Sequence, residues 1–409
     1  MQDTELYQHL LGLSSPWSVS DVRLDVAGEE IVVRVEHPPG TKFCCPECNS
    51  ELPCYDHGEE RRWRHLDSCQ FKTILVARVP RVRCAKHGVK TVSVPWAEPH
   101  SRFTILFERF AIDVLQSTQT VKSAMAILRL KWDATWHIIE KAVERGKARK
   151  EPSPLPRIGI DEKAFAKGQS YVSMIYDLDN STVEAISDGH DTEAAVSCFS
   201  QLSEAQIGSI EAVAMDMSAA YVKAAKQVIP MAEQKIVHDI FHVMQLANKA
   251  VDKVRKSEHR QLLLEGDEQL KGSKYLWLTS IDNLSDAQLK RFNSLCRLTL
   301  ETGRAWSYKE LLRDLWAHKT EKDAKSFFGN WYNRVIRTKM EPMKKLARTL
   351  KERIDNIVTY CTHGITNAVA EGINSKIMSI KRRAGGYRNP ENFKKAIFFY
   401  CSRLDLYPR

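Results

Sequence analysis

The chain lacks the features that mark membrane, secreted and ATP-driven proteins. No apolar run approaches the ~20 residues that a transmembrane helix needs. The polar, acidic start, Met1 to Leu6, has neither the basic residues nor the apolar core of a secretory signal. The phosphate-binding pattern G-x-x-x-x-G-K-S/T is absent, and neither an internal repeat nor a low-complexity tract is evident. We therefore expect a cytoplasmic protein without an ATP-binding loop.

Positive charge exceeds negative charge, and the excess is clustered. Lysine and arginine number 61 against 51 acidic residues, which gives a formal net charge of +10 over 409 residues. A chain of this length predicts two to four domains at roughly 100–200 residues each. The basic clusters are Arg61–Arg64, Arg78–Lys90, Lys141–Lys150, Lys344–Arg353 and Lys381–Arg383. Any one cluster fits a solvated surface, but five of them favour binding to a phosphate backbone.

Ten cysteines in a cytoplasmic chain predict metal ligation rather than disulfides. Cys45-Pro-Glu-Cys48 and Cys84-Ala-Lys-His87 are two pairs, each with the spacing at which one tight turn holds zinc. Strand-rich sequence lies between them, so residues 1–98 are interpreted as a strand-rich region with a zinc ribbon. Cys44 is the most serious rival to Cys45, and further substitutes are Cys54, His57 and Cys69. A closed structural zinc would organise a DNA-binding surface.

Residues 99–150 change character and predict three helices in a helix-turn-helix arrangement. The helices are expected over Phe103–Ser117, Val121–Leu128 and Ala134–Val143, with Asp133 capping the last one. A three-helix cluster can also be purely structural. If the third helix enters the major groove of DNA, its exposed candidates for contact are Thr135, His137, Lys141 and Arg145.

A proline-rich stretch at residues 151–156 predicts a domain boundary. Beyond it, strands and helices alternate in the order of an RNase H-like fold. Strands are predicted at 157–161, 171–177, 182–187, 210–216 and 234–238, with helices at 192–202 and 218–228. Residues 151–245 form the first part of this catalytic core, 246–362 an all-α insertion, and 363–409 the C-terminal part, with a helix over 368–381. The predicted fold class is therefore α+β multidomain.

Three carboxylates separated along the chain carry the predicted chemistry. Asp161 and Asp216 each end an apolar strand, where a rigid carboxylate can bind a metal ion. Glu371 lies on a later helix, on a face shared with Asn367 and Asn374 that could meet the sheet edge. Two divalent ions on such a triad can activate an attacking oxygen and stabilise a leaving one. Taken singly, each acid is better explained by an ordinary structural role, a helix cap for the aspartates and a solvated helix face for the glutamate.

Nearby acids and bases are weaker candidates. Strand alternation places Glu162 on the other face of its strand, and a hairpin turn accounts for Asp177 and Asp179. The pair Asp239-x-x-His242 could orient a DNA phosphate or a water, or could be a helix cap with a packed histidine. The residues expected to hold the DNA backbone beside Glu371 are Lys376, Lys381, Arg382 and Arg383.

Motifs spread over nearly the whole chain resemble those of bacterial insertion-sequence transposases of the ISL-three family. The carriers are Cys45–Cys48, Arg62–Asp67, Arg83–His87, Gly159–Glu162, Asp216–Ser218, His238–Val243, Glu371–Lys376 and Gly385–Asn389. The resemblance implies an RNase H-like DDE domain interrupted by a helical insertion, with Asp161, Asp216 and Glu371 as catalytic ligands of Mg²⁺ or Mn²⁺. It also implies a bacterial, nucleoid-associated protein. The pair Asp239-x-x-His242 is similar to one found after the second Asp in several DDE superfamilies. His87 departs from the pattern, because a fourth cysteine is commoner there.

These patterns together predict a transposase that binds terminal inverted repeats, cleaves their ends and joins them to target DNA, as a homodimer or larger paired-end complex. Two alternatives stay open: a nuclease of the same fold that cuts without joining, and a DNA-binding regulator with an inactive catalytic domain. Tryptophans of the insertion are expected in its core, although Trp306 or Trp316 could instead stack on an unpaired base. The four are Trp277, Trp306, Trp316 and Trp331.

Overall fold

The computed structural model describes residues 2–165, 171–298 and 300–409, without the side chain of Asp282. It separates into two units, one of Met1–Lys150 with Ile380–Arg409 and one of Glu151–Ser379. The first boundary coincides with the start of the proline-rich stretch, while the finer five-part division stays a prediction. Among the described residues, no helix is both long and apolar enough to cross a bilayer.

The first unit opens with a helix, α1 (Asp3–Leu10), so the start of the region interpreted as strand-rich, residues 1–98, is helical. Acidic residues in the first turn favour a helix start, and Tyr7 packs inward from it. Six strands follow: β1 (Ser18–Asp25), β2 (Glu30–Glu36), β3 (Lys42–Cys44), β4 (Glu51–Arg64), β5 (Lys72–Cys84) and β6 (Gly88–Thr91). They form one sheet in the order β1-β2-β5-β4-β3, with β6 also paired to β5. Trp17, Trp63 and Trp96 lie in its core.

Three helices complete the N-terminal part of this unit: α2 (Ile105–Thr118), α3 (Val121–Leu128) and α4 (Trp132–Arg149). Threonine hydroxyls cap the first two, because Thr104 accepts from the amide of Phe107 and Thr120 from that of Ser123. The predicted cap of α4 is wrong: its N-cap residue is Lys131, and Asp133 lies inside the first turn. The three-helix prediction itself is confirmed.

The second unit is built on a five-stranded sheet. Its strands are β7 (Arg157–Ala164), β8 (Tyr171–Asp177), β9 (Thr182–Asp188), β10 (Ala212–Met215) and β11 (Ile236–His238), in the order β11-β10-β7-β8-β9. The helices among them are α5 (Thr192–Phe199), α6 (Glu204–Ser209), α7 (Ala219–Val228) and α8 (Ala232–Lys235). β7 runs parallel to β10, which runs parallel to β11, whereas β8 and β9 are antiparallel. This is the predicted RNase H-like order.

An all-α segment interrupts this unit after β11, as predicted. It comprises α9 (Ile240–Leu264), α10 (Lys274–Leu278), α11 (Asp286–Cys296), α12 (Glu301–Arg313), α13 (Glu321–Ile336), α14 (Glu341–Lys351), α15 (Ile354–Val358), α16 (Tyr360–His363) and two short 3-10 helices. Trp277 and Trp331 are buried in its core, and Trp306 and Trp316 pack against that core. The core interpretation of all four tryptophans is therefore confirmed.

The last two helices follow the insertion. They are α17 (Ala368–Arg383), which carries Glu371, and α18 (Pro390–Cys401). α18 belongs to the first unit, where Lys395 forms an ion pair with Glu140 of α4 at 2.7 Å. The chain therefore begins and ends in the same unit.

Candidate active site and metal centre

Four metal-ligating side chains meet at one end of the first unit's sheet: Cys45, Cys48, Cys84 and His87. The Sγ atoms of Cys48 and Cys84 lie 3.6 Å apart, and His87 Nδ1 lies 3.5 Å from Cys84 Sγ and 3.7 Å from Cys45 Sγ. A tetrahedral zinc with Zn–S of about 2.3 Å requires S–S separations of about 3.8 Å and S–N separations of about 3.6 Å. The donor set and its spacing therefore fit zinc.

Local structure favours the metal-binding form of two of these side chains, Cys48 and Cys84. Cys45 and Cys48 leave β3 in a tight turn in which Asn49 has a positive φ of 57°, and its amide donates to the Cys45 carbonyl at 2.9 Å. The Ser50 hydroxyl lowers the pKa of Cys48 to about 6, and the backbone amide of Lys86 lowers that of Cys84. The thiolate is the form that binds metal. Cys44, the predicted rival, is exposed and outside the group, while Cys45 is buried.

Three aspartates occupy equivalent positions on the parallel strands of the second unit. Strand register pairs Ile160 with Met215, and Met215 with His238. The residues that follow are Asp161, Asp216 and Asp239, so all three carboxylates lie at the same level of the sheet's carboxyl edge. Sequence reasoning placed the first two as catalytic and treated Asp239 only as an auxiliary residue.

Asp239 does not behave as an ordinary helix cap. It is the N-cap residue of α9, yet its side chain makes no capping hydrogen bond. Its Oδ2 is buried and has no hydrogen-bond partner among the described residues. Ligand atoms of Asp239, His242 and Glu371 lie within 4.8 Å of one another. Because a buried carboxylate oxygen without a partner is costly, this group fits a bound cation better than a structural role.

Asp161 is held by the helix that carries Glu371. Asn374, one turn beyond Glu371 on α17, donates from Nδ2 to Asp161 Oδ2 at 2.7 Å and accepts from the Tyr176 hydroxyl at 2.8 Å. Burial, and then the charge of Glu162, raises the pKa of Asp161 to about 6, while positive charge on Lys163 and His242 acts against that rise. The predicted approach of the Asn374 face of α17 to the sheet is thereby confirmed.

Gly159 allows α17 to approach β7 closely. A Cβ at this position would lie 2.6 Å from Asn367 Oδ1, and real Cβ atoms essentially never come that near. Asn367 is fully buried just before α17, and its backbone N–H donates to Asp239 Oδ1 at 3.5 Å. Gly159 in the Gly-Ile-Asp-Glu motif is therefore required for packing rather than for chemistry.

The acidic edge fits a hard divalent cation. Carboxylate oxygens from several elements suit Mg²⁺ or Mn²⁺, and the imidazole of His242 suits Mn²⁺ better than Mg²⁺. Among the described residues, the acidic group whose ligand atoms lie close enough to share one ion is Asp239, His242 and Glu371, and this group does not include Asp161 or Asp216. Asp161 and Asp216 lie beside it through the strand register alone. One Asp216 oxygen accepts from the amide of Ser218 at 2.8 Å, which fixes that carboxylate at the start of α7.

The four residues of α4 that were predicted to contact DNA differ in their exposure. Thr135 is fully buried, and the Arg145 side chain is only 8% exposed because it pairs with Glu98 and Glu108. The expectation that these two side chains are exposed is wrong, since both pack inside the first unit. Lys141 is exposed and pairs with Glu144 at 2.9 Å, and His137 is half-buried.

The basic residues of α17 fall in both units. Lys376 is exposed on the part of α17 that belongs to the second unit. Arg382 and Arg383 belong to the first unit, where Arg383 donates to Gln119 Oε1 at 2.9 Å. Their contact with DNA stays a prediction.

Three protein-family models match successive parts of the chain. A family model described as a transposase matches residues 158–397. A second, described as the zinc-finger of transposase IS204/IS1001/IS1096/IS1165, matches residues 41–87. A third, described as the helix-turn-helix domain of transposase family ISL3, matches residues 92–143. The first match spans the RNase H-like sheet, the helical insertion, α17 and most of α18. The second contains the cysteine and histidine cluster, and the third contains α2, α3 and most of α4.

Two transposases align with this chain over most of its length. The transposase for insertion sequence element IS1001 of Bordetella parapertussis is 28% identical over 362 residues, covering 87% of this chain and 88% of that protein. The transposase for insertion sequence element IS1557 of Mycobacterium tuberculosis is 25% identical over 426 aligned positions, covering 96% of this chain and 94% of that protein.

Proposed function

Because this chain belongs to the ISL3 family of DNA transposases, we propose that it cuts and joins DNA at the carboxyl edge of β7, β10 and β11. The observation that carries this proposal is the register that aligns Asp161, Asp216 and Asp239, with Glu371 beside Asp239 and His242. Asp161, Asp216 and Glu371 are the proposed catalytic carboxylates. Asp239 and His242 are proposed to complete the site.

Mg²⁺ or Mn²⁺ would be held by these carboxylates and, when bound, would activate the attacking oxygen and stabilise the leaving one. The protein's own residues position the reaction. Asn374 fixes the orientation of Asp161, and Ser218 fixes that of Asp216. A ring nitrogen of His242 lies within 4.8 Å of a carboxylate oxygen of Glu371, where it can orient a DNA phosphate. None of these residues needs to bond covalently to DNA.

Recognition of the DNA ends is assigned to the first unit. We propose that the zinc ribbon and α2 to α4 bind the terminal inverted repeats, with Lys141 among the contacts to phosphate. Zinc would be held by Cys45, Cys48, Cys84 and His87. Since an element has two ends, we further propose that at least two copies of the chain assemble on them.

The test uses duplexes carrying the terminal repeat that flanks the coding sequence. Wild-type protein should nick and join these ends only when Mg²⁺ or Mn²⁺ is supplied. Asp161→Asn should lose both reactions yet bind the ends with unchanged affinity, because α4 and the zinc ribbon are untouched. Joining by Asp161→Asn at the wild-type rate would refute the assignment. Nicking without joining by the wild type would instead support a nuclease.

A further inference from the structure

A cavity of about 500 Å³ opens beside the acidic edge, within the second unit. Asp239 and Glu371 line one side of it, and α9 lines another through Phe241, Gln245 and Asn248. The spacing of these last three residues, i, i+4 and i+7, puts them on one helix face. Arg313, at the end of α12, also lines the cavity. We call this space the insertion cleft, because the helical insertion supplies the wall that the sheet does not.

The side chains of the insertion cleft offer three kinds of recognition. Phe241 is 55% exposed and presents an aromatic ring at the start of α9. Asn248 Oδ1 is buried without a hydrogen-bond partner among the described residues, so it can accept a hydrogen bond. Gln245 Oε1 already accepts from Lys249 at 3.3 Å, which leaves its amide hydrogens to donate. Arg313 adds a guanidinium group to the lining, and its Nε pairs with Glu310 at 3.0 Å.

This combination matches one nucleotide better than other ligands. Aromatic faces stack on unpaired bases, asparagine and glutamine amides pair with base edges, and arginine holds phosphate. A cavity of this size takes a molecule as large as a drug, which admits one nucleotide and excludes a duplex. A metal ion alone would leave the Phe241 and Asn248 side without a partner.

We propose that the insertion cleft takes one unpaired nucleotide from the DNA end, with its base on Phe241 and its edge at Asn248. This inference rests on the proposed function, because it assumes that the neighbouring acids act on DNA. The unstacked base would anchor the strand so that the adjacent phosphate lies at Asp239 and Glu371. The helical insertion would thus contribute substrate positioning, although its tryptophans are core residues.

A protein–DNA double-mutant cycle tests the proposal with full-length protein. Duplexes ending in the flanking terminal repeat carry either a normal base or an abasic site at each of the last three positions of either strand. Affinity is measured by fluorescence anisotropy with Mg²⁺ in an Asp161→Asn background, so that the DNA stays intact. Joining rates are measured in parallel with Asp161 present.

Phe241→Ala should weaken binding of the normal end about tenfold, the loss typical of one stacked base. At one position, an abasic end should bind wild type and Phe241→Ala equally, because the base that Phe241 stacks on is gone. Asn248→Ala should likewise weaken binding of the normal end but not of the end that is abasic at that position. Phe241→Trp, which keeps an aromatic ring, should bind the normal end as tightly as the wild type does. Tyr275→Ala, which removes another exposed aromatic ring in this unit, should change neither affinity nor rate.

The proposal would be overturned if Phe241→Ala bound the normal end as tightly as the wild type. It would also be overturned if Phe241→Ala weakened binding equally for normal and abasic ends at every position tested. Thermal melting shows whether each variant is folded, and Phe241→Trp keeps the test valid if the alanine variant is not. If the wild type binds the ends but neither cuts nor joins them, the proposed function fails. The affinity measurements still test whether the insertion cleft binds a base, because they require neither reaction. If the wild type joins the ends normally but the effects of Phe241→Ala and of the abasic site on affinity simply add, only the proposal for the insertion cleft fails.

Discussion

Asn374 shows how a single amide can organise a catalytic carboxylate. Its nitrogen donates to Asp161 while its oxygen accepts from Tyr176, so both ends of the amide are used. The side chain is only 3% exposed, which makes the loss of either partner costly. Aspartate would lose the donor and leucine would lose both groups. Only an amide of this length satisfies Asp161 and Tyr176 together.

Replacement of Asn374 by leucine should therefore raise the Mg²⁺ concentration needed for half-maximal joining. Removing a partner of a ligating carboxylate costs about 10–100-fold in metal affinity or activity. Titration of joining against Mg²⁺ measures this, with Tyr176→Phe as the matched control that removes only the outer hydrogen bond and should have the smaller effect. A lower melting temperature with an unchanged Mg²⁺ requirement would mean that Asn374 acts in packing alone.

His65 links the zinc-ribbon sheet to the first helix of the helix-turn-helix. Its Nδ1 lies 2.9 Å from the Thr104 hydroxyl, the group that caps α2. Burial, and then the charge of Arg64, lowers the pKa of His65 from 6.5 to about 4. The folded state thus favours neutral His65, so its contribution is complete above pH 6.5 and is lost as the pH falls toward 4.

The first unit should lose about 3 kcal/mol of stability between pH 6.5 and 4 through this histidine. Urea unfolding at several pH values measures the loss. His65→Gln, which keeps a polar group but cannot gain a proton, should show a shallower pH dependence than the wild type. Identical slopes for the two proteins would show that carboxylates account for the acid sensitivity and that His65 does not.

At the scale of elements, the zinc ribbon offers a comparison between neighbouring cysteines. Cys45 is buried in the proposed ligand group, whereas Cys44 is exposed on β3. Cys45→Ser should abolish stoichiometric zinc and unfold the ribbon, because structural zinc contributes directly to folding. Cys44→Ser should keep both zinc and structure. Zinc content by mass spectrometry and circular dichroism report the outcome, and equal zinc loss in the two variants would contradict it.

The elements that could be predicted from the sequence were those whose pattern of apolar residues lies within a short segment of the chain. Asp216 directly follows the apolar strand β10, as predicted, whereas the prediction that Asp161 ends its strand is wrong, because β7 continues to Ala164. The order of strands and helices along the chain followed from the alternation of apolar patterns. Arg145 was misplaced because its partners lie far along the chain: Glu98 is 47 residues away and Leu406 is 261. Likewise, the closeness of Asp239 to Glu371 depends on packing across the entire insertion. Long-range pairing leaves no periodic trace in the sequence.

At the scale of the whole molecule, the chain returns to its starting unit to close it. Leu406 is 1% exposed, and its carbonyl accepts from Arg145 at 2.5 Å. The Tyr407 carbonyl accepts from Arg149 at 2.6 Å, and the Tyr407 hydroxyl donates to Asp113 at 2.6 Å. Residues 402–409 therefore tie α2 to α4, the helices proposed to bind the transposon ends.

Leu406→Ala should destabilise this unit by about 2–5 kcal/mol, the usual cost of removing a large buried apolar side chain. The second unit has its own core, so its unfolding should be unaffected. Calorimetry should show a lower melting transition for the first unit alone, and end binding should be lost at a temperature where Mg²⁺-dependent nicking of non-specific DNA persists. Leu24→Ala, at a position 53% exposed on β1, is the matched control. A common shift of both transitions would show instead that the two units unfold as one.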